Sequence, residues 1–361
     1  MMIKRNFIVI ISALFLLSTL CFAKGSENIN KVIGETAGFV YGTVKEPTVA
    51  SIGGEWAIIG LSRSGVEVPD EYYADYYKRV EEYAKEKKGV LHTKKYTEYS
   101  RVILSLSSIG KDPRNVAGYN LLYPLGDYEK TIWQGINGPV FALIALDSKN
   151  YDIPKNQTAK TQATRELYVN YILEKQLSDG GWALTGTVSD PDVTAMVLQA
   201  LSKYQSDSKV KTATNKALIC LSNMQNNTGG FSTFGHETSE SSVQVLVALC
   251  SLGISPEDSR FVKNGNSVLD SVLSYSLNGG AFRHTKSGSE NLMATEQVLY
   301  GLVAYKRFSE GKNSLYSMSD AISFSESKST SNGLENKHKD IKKKEIIFVG
   351  KTFDEDRKSV V

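Results

Sequence analysis

Residues 190–204 read DPDVTAMVLQALSKY, residues 240–253 read ESSVQVLVALCSLG and residues 293–305 read MATEQVLYGLVAY. Each stretch opens on small or polar residues, runs on as an apolar helix and ends on a small residue followed by Leu. Outward from these three, the same shape recurs as GGEWAIIGLSRSG at 53–65, TEYSRVILSLSSIG at 97–110 and WQGINGPVFALIALDS at 133–148. Aligned on the small-Leu pair, the six copies fall at Gly60, Ser105, Ala145, Ala200, Ala248 and Gly301. That spacing of about 40 to 55 residues is the period of a repeat built from a pair of helices. Between the copies lie amphipathic segments starting at Tyr72, Ala163, Val210 and Ser267, whose apolar stripe predicts an outer layer with Lys, Glu and Asn toward water. The six repeated segments are nearly uncharged beyond their first turn, as helices buried on most sides must be.

Three loops share a further signature: QLSDGGWAL from Gln176, MQNNTGGFSTF from Met224 and YSLNGGAFRHT from Tyr275. The glycines are expected to end the outer helices with positive φ, and Trp182, Phe231 and Phe282 to wedge between neighbouring repeats. The pattern therefore predicts an all-α fold over residues 36–320, an α/α toroid of about six inner and five to six outer helices. A stack with exposed ends needs polar caps that this chain lacks, so the pairs are expected to close into a barrel around a hollow. The first turns of the inner helices then surround one mouth with backbone N–H groups and positive dipole ends.

The 361 residues are 41% hydrophobic and 22% charged, with a formal net charge of +3, which is globular composition and gives no argument for nucleic acid. Lys4 and Arg5, an apolar run from Phe7 to Leu20 and Ala23 read as an export signal over residues 1–23. The chain is thus expected to be secreted or held at the cell surface, with no stable membrane span once the signal is cleaved. Behind the signal stand two cysteines, Cys220 and Cys250; two in a chain of this length are no disulfide framework, and buried free thiols are expected over a single bridge. Residues 321–361 lose the apolar pattern and turn rich in Ser, Lys and Asn, the composition of a linker or of the start of a further domain.

The Gly-Gly-aromatic loops and the DPDVTAMVLQAL segment resemble the superfamily of terpenoid cyclases and protein prenyltransferases, whose toroid is shared by cobalamin carriers such as transcobalamin and intrinsic factor. The run from GGEWAIIGLSRSG to NLMATEQVLYGLVAYKRF is similar, more closely, to secreted toroid-repeat proteins of anaerobic Gram-positive bacteria. For class II cyclases the resemblance implies a proton donor at Asp192, with Asp190 beside it. That chemistry needs a carboxylic acid kept protonated by neighbouring carboxylates in an apolar hollow. Val193 stands where the cyclase motif places its last acid, and Asp190 and Asp192 equally suit a helix cap and a dipole-complementing first turn. The zinc site of prenyltransferases has no counterpart, since His92, His236, His284 and His338 form no recognisable ligand pair with the cysteines. No metal is therefore expected.

Residues at the starts of the inner helices supply the remaining candidates: Glu55, Trp56, Glu98, Tyr99, Trp133, Gln134, Glu240, Glu296 and Gln297. Aromatic faces with convergent polar groups suit a bulky amphipathic or sugar-like ligand. The resemblance adds corrinoids and isoprenoid-like molecules to that class, with no other cofactor. The sequence thus leads to a small-molecule-binding protein, with a cyclase-like enzyme acting through Asp192, or a structural envelope module, as the competing expectations.

Overall fold

The computed structural model describes residues 28–233 and 235–324. The export signal expected over 1–23 and most of the stretch expected to form a linker lie outside them. Helices dominate. After α1 at 28–43 come α2 (Glu55–Ser64), α3 (Asp70–Glu86), α4 (Thr97–Ser108), α5 (Tyr128–Ile132), α6 (Asn137–Ser148), α7 (Arg165–Glu174), α8 (Pro191–Leu201), α9 (Ser208–Met224), α10 (Ser239–Ser251), α11 (Val268–Leu273) and α12 (Leu292–Ser309). Two short antiparallel hairpins sit in the loops, β1 (Phe231–Thr233) with β2 (His236–Thr238) and β3 (Val262–Lys263) with β4 (Asn266–Ser267).

The six repeated segments become α2, α4, α6, α8, α10 and α12. Each packs on the next, and α12 packs on α2. Their burial explains their composition: every residue of α6 is buried, and α10 is buried from Ser239 through Cys250. The small residue before the shared Leu lets neighbours approach. A Cβ on Gly60 would lie 3.0 Å from Leu299 of α12, and one on Gly301 would lie 2.8 Å from Val243 of α10. At Ser105 the small side chain receives a hydroxyl contact from Tyr76 of α3 at 2.7 Å instead.

The outer helices show one apolar stripe each, as on α9, where Val210, Ala213, Ala217, Leu218 and Leu221 are buried while the lysines face outward. Helix α1 buries Ile29, Ile33, Ala37 and Val40, a helical stripe that precedes the first repeat copy. Its Tyr41 meets Tyr72 of α3 edge-on at 5.2 Å, and the Gly280 loop rests on its Glu35 carbonyl.

The glycine loops differ from expectation in one respect. Helices α7 and α9 end at Glu174 and Met224, several residues before the glycines. Gly180 and Gly229 have φ of 97° and 80° and instead turn the loop back, each donating its N–H to a residue three positions earlier, Leu177 and Asn226. The reason lies in the preceding glutamine. Gln176 Nε2 donates to Gly180 O at 2.7 Å and to Ala213 O of α9 at 2.9 Å, and Gln225 Nε2 donates to Gly229 O and Phe261 O at 2.9 and 2.8 Å. The loop is thus a clamp from one repeat to the next. Its aromatic is buried in every copy, as Trp182, Phe231 and Phe282. The N–H groups of Trp182 and Phe282 donate to Thr194 and Thr295 in the following inner helix, both at 2.9 Å.

Beyond α12, residues 310–324 cross the C-terminal ends of the inner helices. Met318 N–H donates to Ser148 O at the end of α6, and Leu315 and Met318 are buried. Asp320 bridges Arg63 at the end of α2 and Arg307 of α12, and Phe324 stacks on Tyr73 at 4.2 Å.

Candidate functional site at the first turns of the inner helices

Helices α8, α10 and α12 begin with side-chain caps. Asp190 accepts from Val193 N–H, Thr238 from Ser241 N–H and Asn291 from Ala294 N–H. Asp190 is therefore a helix cap, as one of its two expected roles required. Helices α2, α4 and α6 start without such caps, and Glu55 in the first turn of α2 binds a neighbouring loop instead.

Glu55 is fully buried. Its Oε1 accepts from Ala50 N–H at 2.7 Å, and its Oε2 has no partner. Glu296, also buried, accepts from Gly53 N–H at 2.8 Å. The two carboxyls from α2 and α12 hold the loop at 48–54 between them. Burial raises both, Glu296 to about 8, with Arg101 opposing the rise at Glu55. Glu98 of α4 faces the same Arg101, and burial lifts its carboxyl too.

A second cluster forms between α8 and α10. Burial, then the Asp190 carboxylate, pushes Asp192 up to about 7, while hydroxyls of Ser241 and Thr233 pull it down. Its Oδ1 is shielded and has no hydrogen-bond partner. Glu240 lies close enough to raise it further, and both Glu240 oxygens meet Nδ1 of His284 at 2.8 to 2.9 Å. His284, unassigned from the sequence, is thus the partner of a candidate acid. Its signal was its place two residues behind the Phe282 wedge of the third loop.

Between these clusters the interior holds side chains. Trp56 of α2 approaches Tyr300 of α12 at 5.5 Å and Phe141 of α6 at 6.2 Å. The second contact joins helices that are not neighbours in sequence order of packing, so the expected hollow is occupied by rings at that level. Gln244 Nε2 donates to Tyr300 Oη at 2.7 Å and Gln297 Oε1 at 3.3 Å, and Gln199 donates to Gln244. Trp56 Nε1 and Gln297 Nε2 have no partner. Tyr300, Phe141 and Gln244 carry no signal at the helix starts, where dipole and capping arguments single residues out. They lie one or more turns further in, where Gln297 and Tyr300 share a face at i, i+3.

Trp133 and Gln134 fall outside this arrangement, since α6 begins only at Asn137. Trp133 is 60% exposed, and Gln134 is tied to Thr97 by reciprocal bonds at 3.2 and 3.3 Å. Tyr99 is buried against Tyr96 at 5.4 Å. Cys220 and Cys250 are buried and unbridged. Among the described residues no group of His, Cys, Asp and Glu is arranged to hold a metal ion, and no helix is long and apolar enough to cross a membrane. An open depression of about 790 Å³ along Ile153–Arg165 shares no residue with the acid clusters. No family model matches this chain, and no curated protein matches it significantly.

Proposed function

We propose that the chain is an α/α toroid, secreted or displayed at the cell surface, that binds a small amphipathic ligand at the mouth formed by the first turns of α2, α8, α10 and α12. The cycle of helix contacts from α2 through α12 back to α2 supports closure. The segment 310–324 lies over the opposite ends of the helices, which favours entry from the first-turn side.

The observation that carries the reading is a set of polar atoms. Glu55 Oε2, Trp56 Nε1, Asp192 Oδ1 and Gln297 Nε2 belong to the first two turns of three inner helices, and each is shielded without a hydrogen-bond partner. A buried polar atom left unpaired costs about 1–3 kcal/mol, and groups of this kind are normally satisfied by protein, water or ligand. A molecule with an apolar face for Trp56 and Tyr300 and oxygens for these atoms matches the set. The resemblance to toroid proteins adds corrinoids and isoprenoid-like alcohols to that class.

A second reading rests on Asp192 alone. A carboxyl raised to about 7 is partly protonated at neutral pH and suits a proton donor, as in a class II cyclase. Native mass spectrometry of the full chain with farnesol, cyanocobalamin and wall-derived oligosaccharides tests both. Retained ligand of unchanged mass, weakened in Asp192→Asn, supports binding; a product of altered mass that Asp192→Asn abolishes supports the enzyme. No adduct and no product with any of the three leaves a structural envelope module as the better account.

A further inference from the structure

The loops leading into α4 and α6 carry chemistry that the acid clusters do not use. Residues 87–95 read KKGVLHTKK, with Lys87, Lys88, Lys94 and Lys95 exposed and Val90 51% exposed. In the next loop stands Trp133, whereas the chain's other two tryptophans, Trp56 and Trp182, are buried. The two loops are fastened together. His92 Nδ1 accepts the N–H groups of Lys94 and Lys95 at 2.9 and 2.8 Å, Gln134 binds Thr97, and the Lys94 ammonium lies 4.6 Å from the Trp133 ring centre.

Three of the surrounding acids are committed elsewhere. Glu86 pairs with Lys87, Asp127 pairs with Lys130, and Glu129 accepts from Thr161. Glu98 is half-buried beside His92, Arg101 and Lys95. Lys88, Lys94 and Lys95 form no ion pair among the described residues. An exposed indole with the Lys94 ammonium beside its ring, fastened to a loop that also exposes Val90, Lys88 and Lys95, matches the boundary layer of a bilayer, where rings sit at headgroup depth and lysines meet phosphates.

We propose that this platform docks the protein peripherally on an anionic lipid surface, with Trp133 and Val90 entering the interface and Lys88, Lys94 and Lys95 meeting lipid phosphates. A soluble acidic polymer would engage the lysines but offer Trp133 and Val90 nothing apolar to enter. Lipid is the occupant that uses both halves of the platform.

The full chain is mixed with vesicles of phosphatidylglycerol and phosphatidylcholine, and with phosphatidylcholine alone, while sedimentation and tryptophan emission are followed. Because Trp133 is the exposed tryptophan, a blue shift reports its transfer. The expected result is co-sedimentation and a blue shift with the anionic vesicles only, both weakened by salt. Each of Lys88→Gln, Lys94→Gln and Lys95→Gln should lower partitioning roughly five-fold, and Trp133→Ala should remove the shift; all four positions are exposed, so circular dichroism should stay unchanged. Absence of partitioning, equal partitioning to neutral vesicles, or lysine-dependent binding to dextran sulfate without any vesicle-induced shift overturns the proposal.

Discussion

Glu296 accepts Gly53 N–H while burial holds its carboxyl at about 8 against an ordinary 4.5. Between those values the folded chain keeps a proton that the unfolded chain has released. The stability tied to this proton is therefore complete below the ordinary value and is lost as pH rises through about 8. Glu296→Gln keeps an oxygen for Gly53 and removes the titration. In urea unfolding, the variant should lose less stability between about pH 5 and pH 8 than the unchanged chain, by a few kcal/mol; parallel pH profiles would mean that Glu296 is ionised in the fold. Asp192, raised to about 7, should give Asp192→Asn a similar but smaller flattening in the same direction. That acids open these helices was legible in the sequence. Their burial was not, because it depends on the 48–54 loop folding over Glu55 and Glu296 and on β1 bringing Thr233 to Asp192. Trp133 shows the converse, since its copy keeps the small-Leu end of the repeat while α6 begins four residues later, at Asn137, which leaves Trp133 in a loop.

The repeat element is held by side chains that reach across to the next copy. Gln176 satisfies one carbonyl in its own loop and one in α9, so Gln176→Ala strands both and should cost about 1–3 kcal/mol in denaturant unfolding. An unchanged midpoint would mean that water replaces the clamp. Trp182 is fully buried and its Nε1–H donates to Ile172 O at 2.8 Å; Trp182→Ala should cost about 3–5 kcal/mol in the same measurement. The helices and the aromatic wedges were readable because their period and burial are properties of the sequence pattern. The glycines turn the loops and do not end the helices, because the glutamine ahead of them bonds a carbonyl of a different repeat, a contact that the local sequence pattern does not carry.

Across the whole molecule, the C-terminal segment of the described chain returns to α2. Arg63 of α2 has a side chain only 3% exposed and is bound by Asp320, which also meets Arg307. Removing the acid in Asp320→Ala leaves two buried guanidinium groups facing each other. The cost should be about 2–3 kcal/mol, toward the low side because Asp320 is itself 37% exposed and Arg63 keeps carbonyl partners. The alternation of inner and outer helices was written in the repeats, but the segment over their C-terminal ends was not, for its apolar anchors, Leu315, Tyr316, Met318 and Phe324, are scattered without a helical or strand period.

The most direct test of a ligand mouth at the first turns is a melting series on the full chain with farnesol, cyanocobalamin and wall oligosaccharides at rising concentration, run beside Asp192→Asn. A ligand that binds only the folded state must raise Tm with concentration. The account predicts such a rise with one class and a smaller rise in the variant; a Tm that stays flat with all three classes, or rises equally in both proteins, contradicts it.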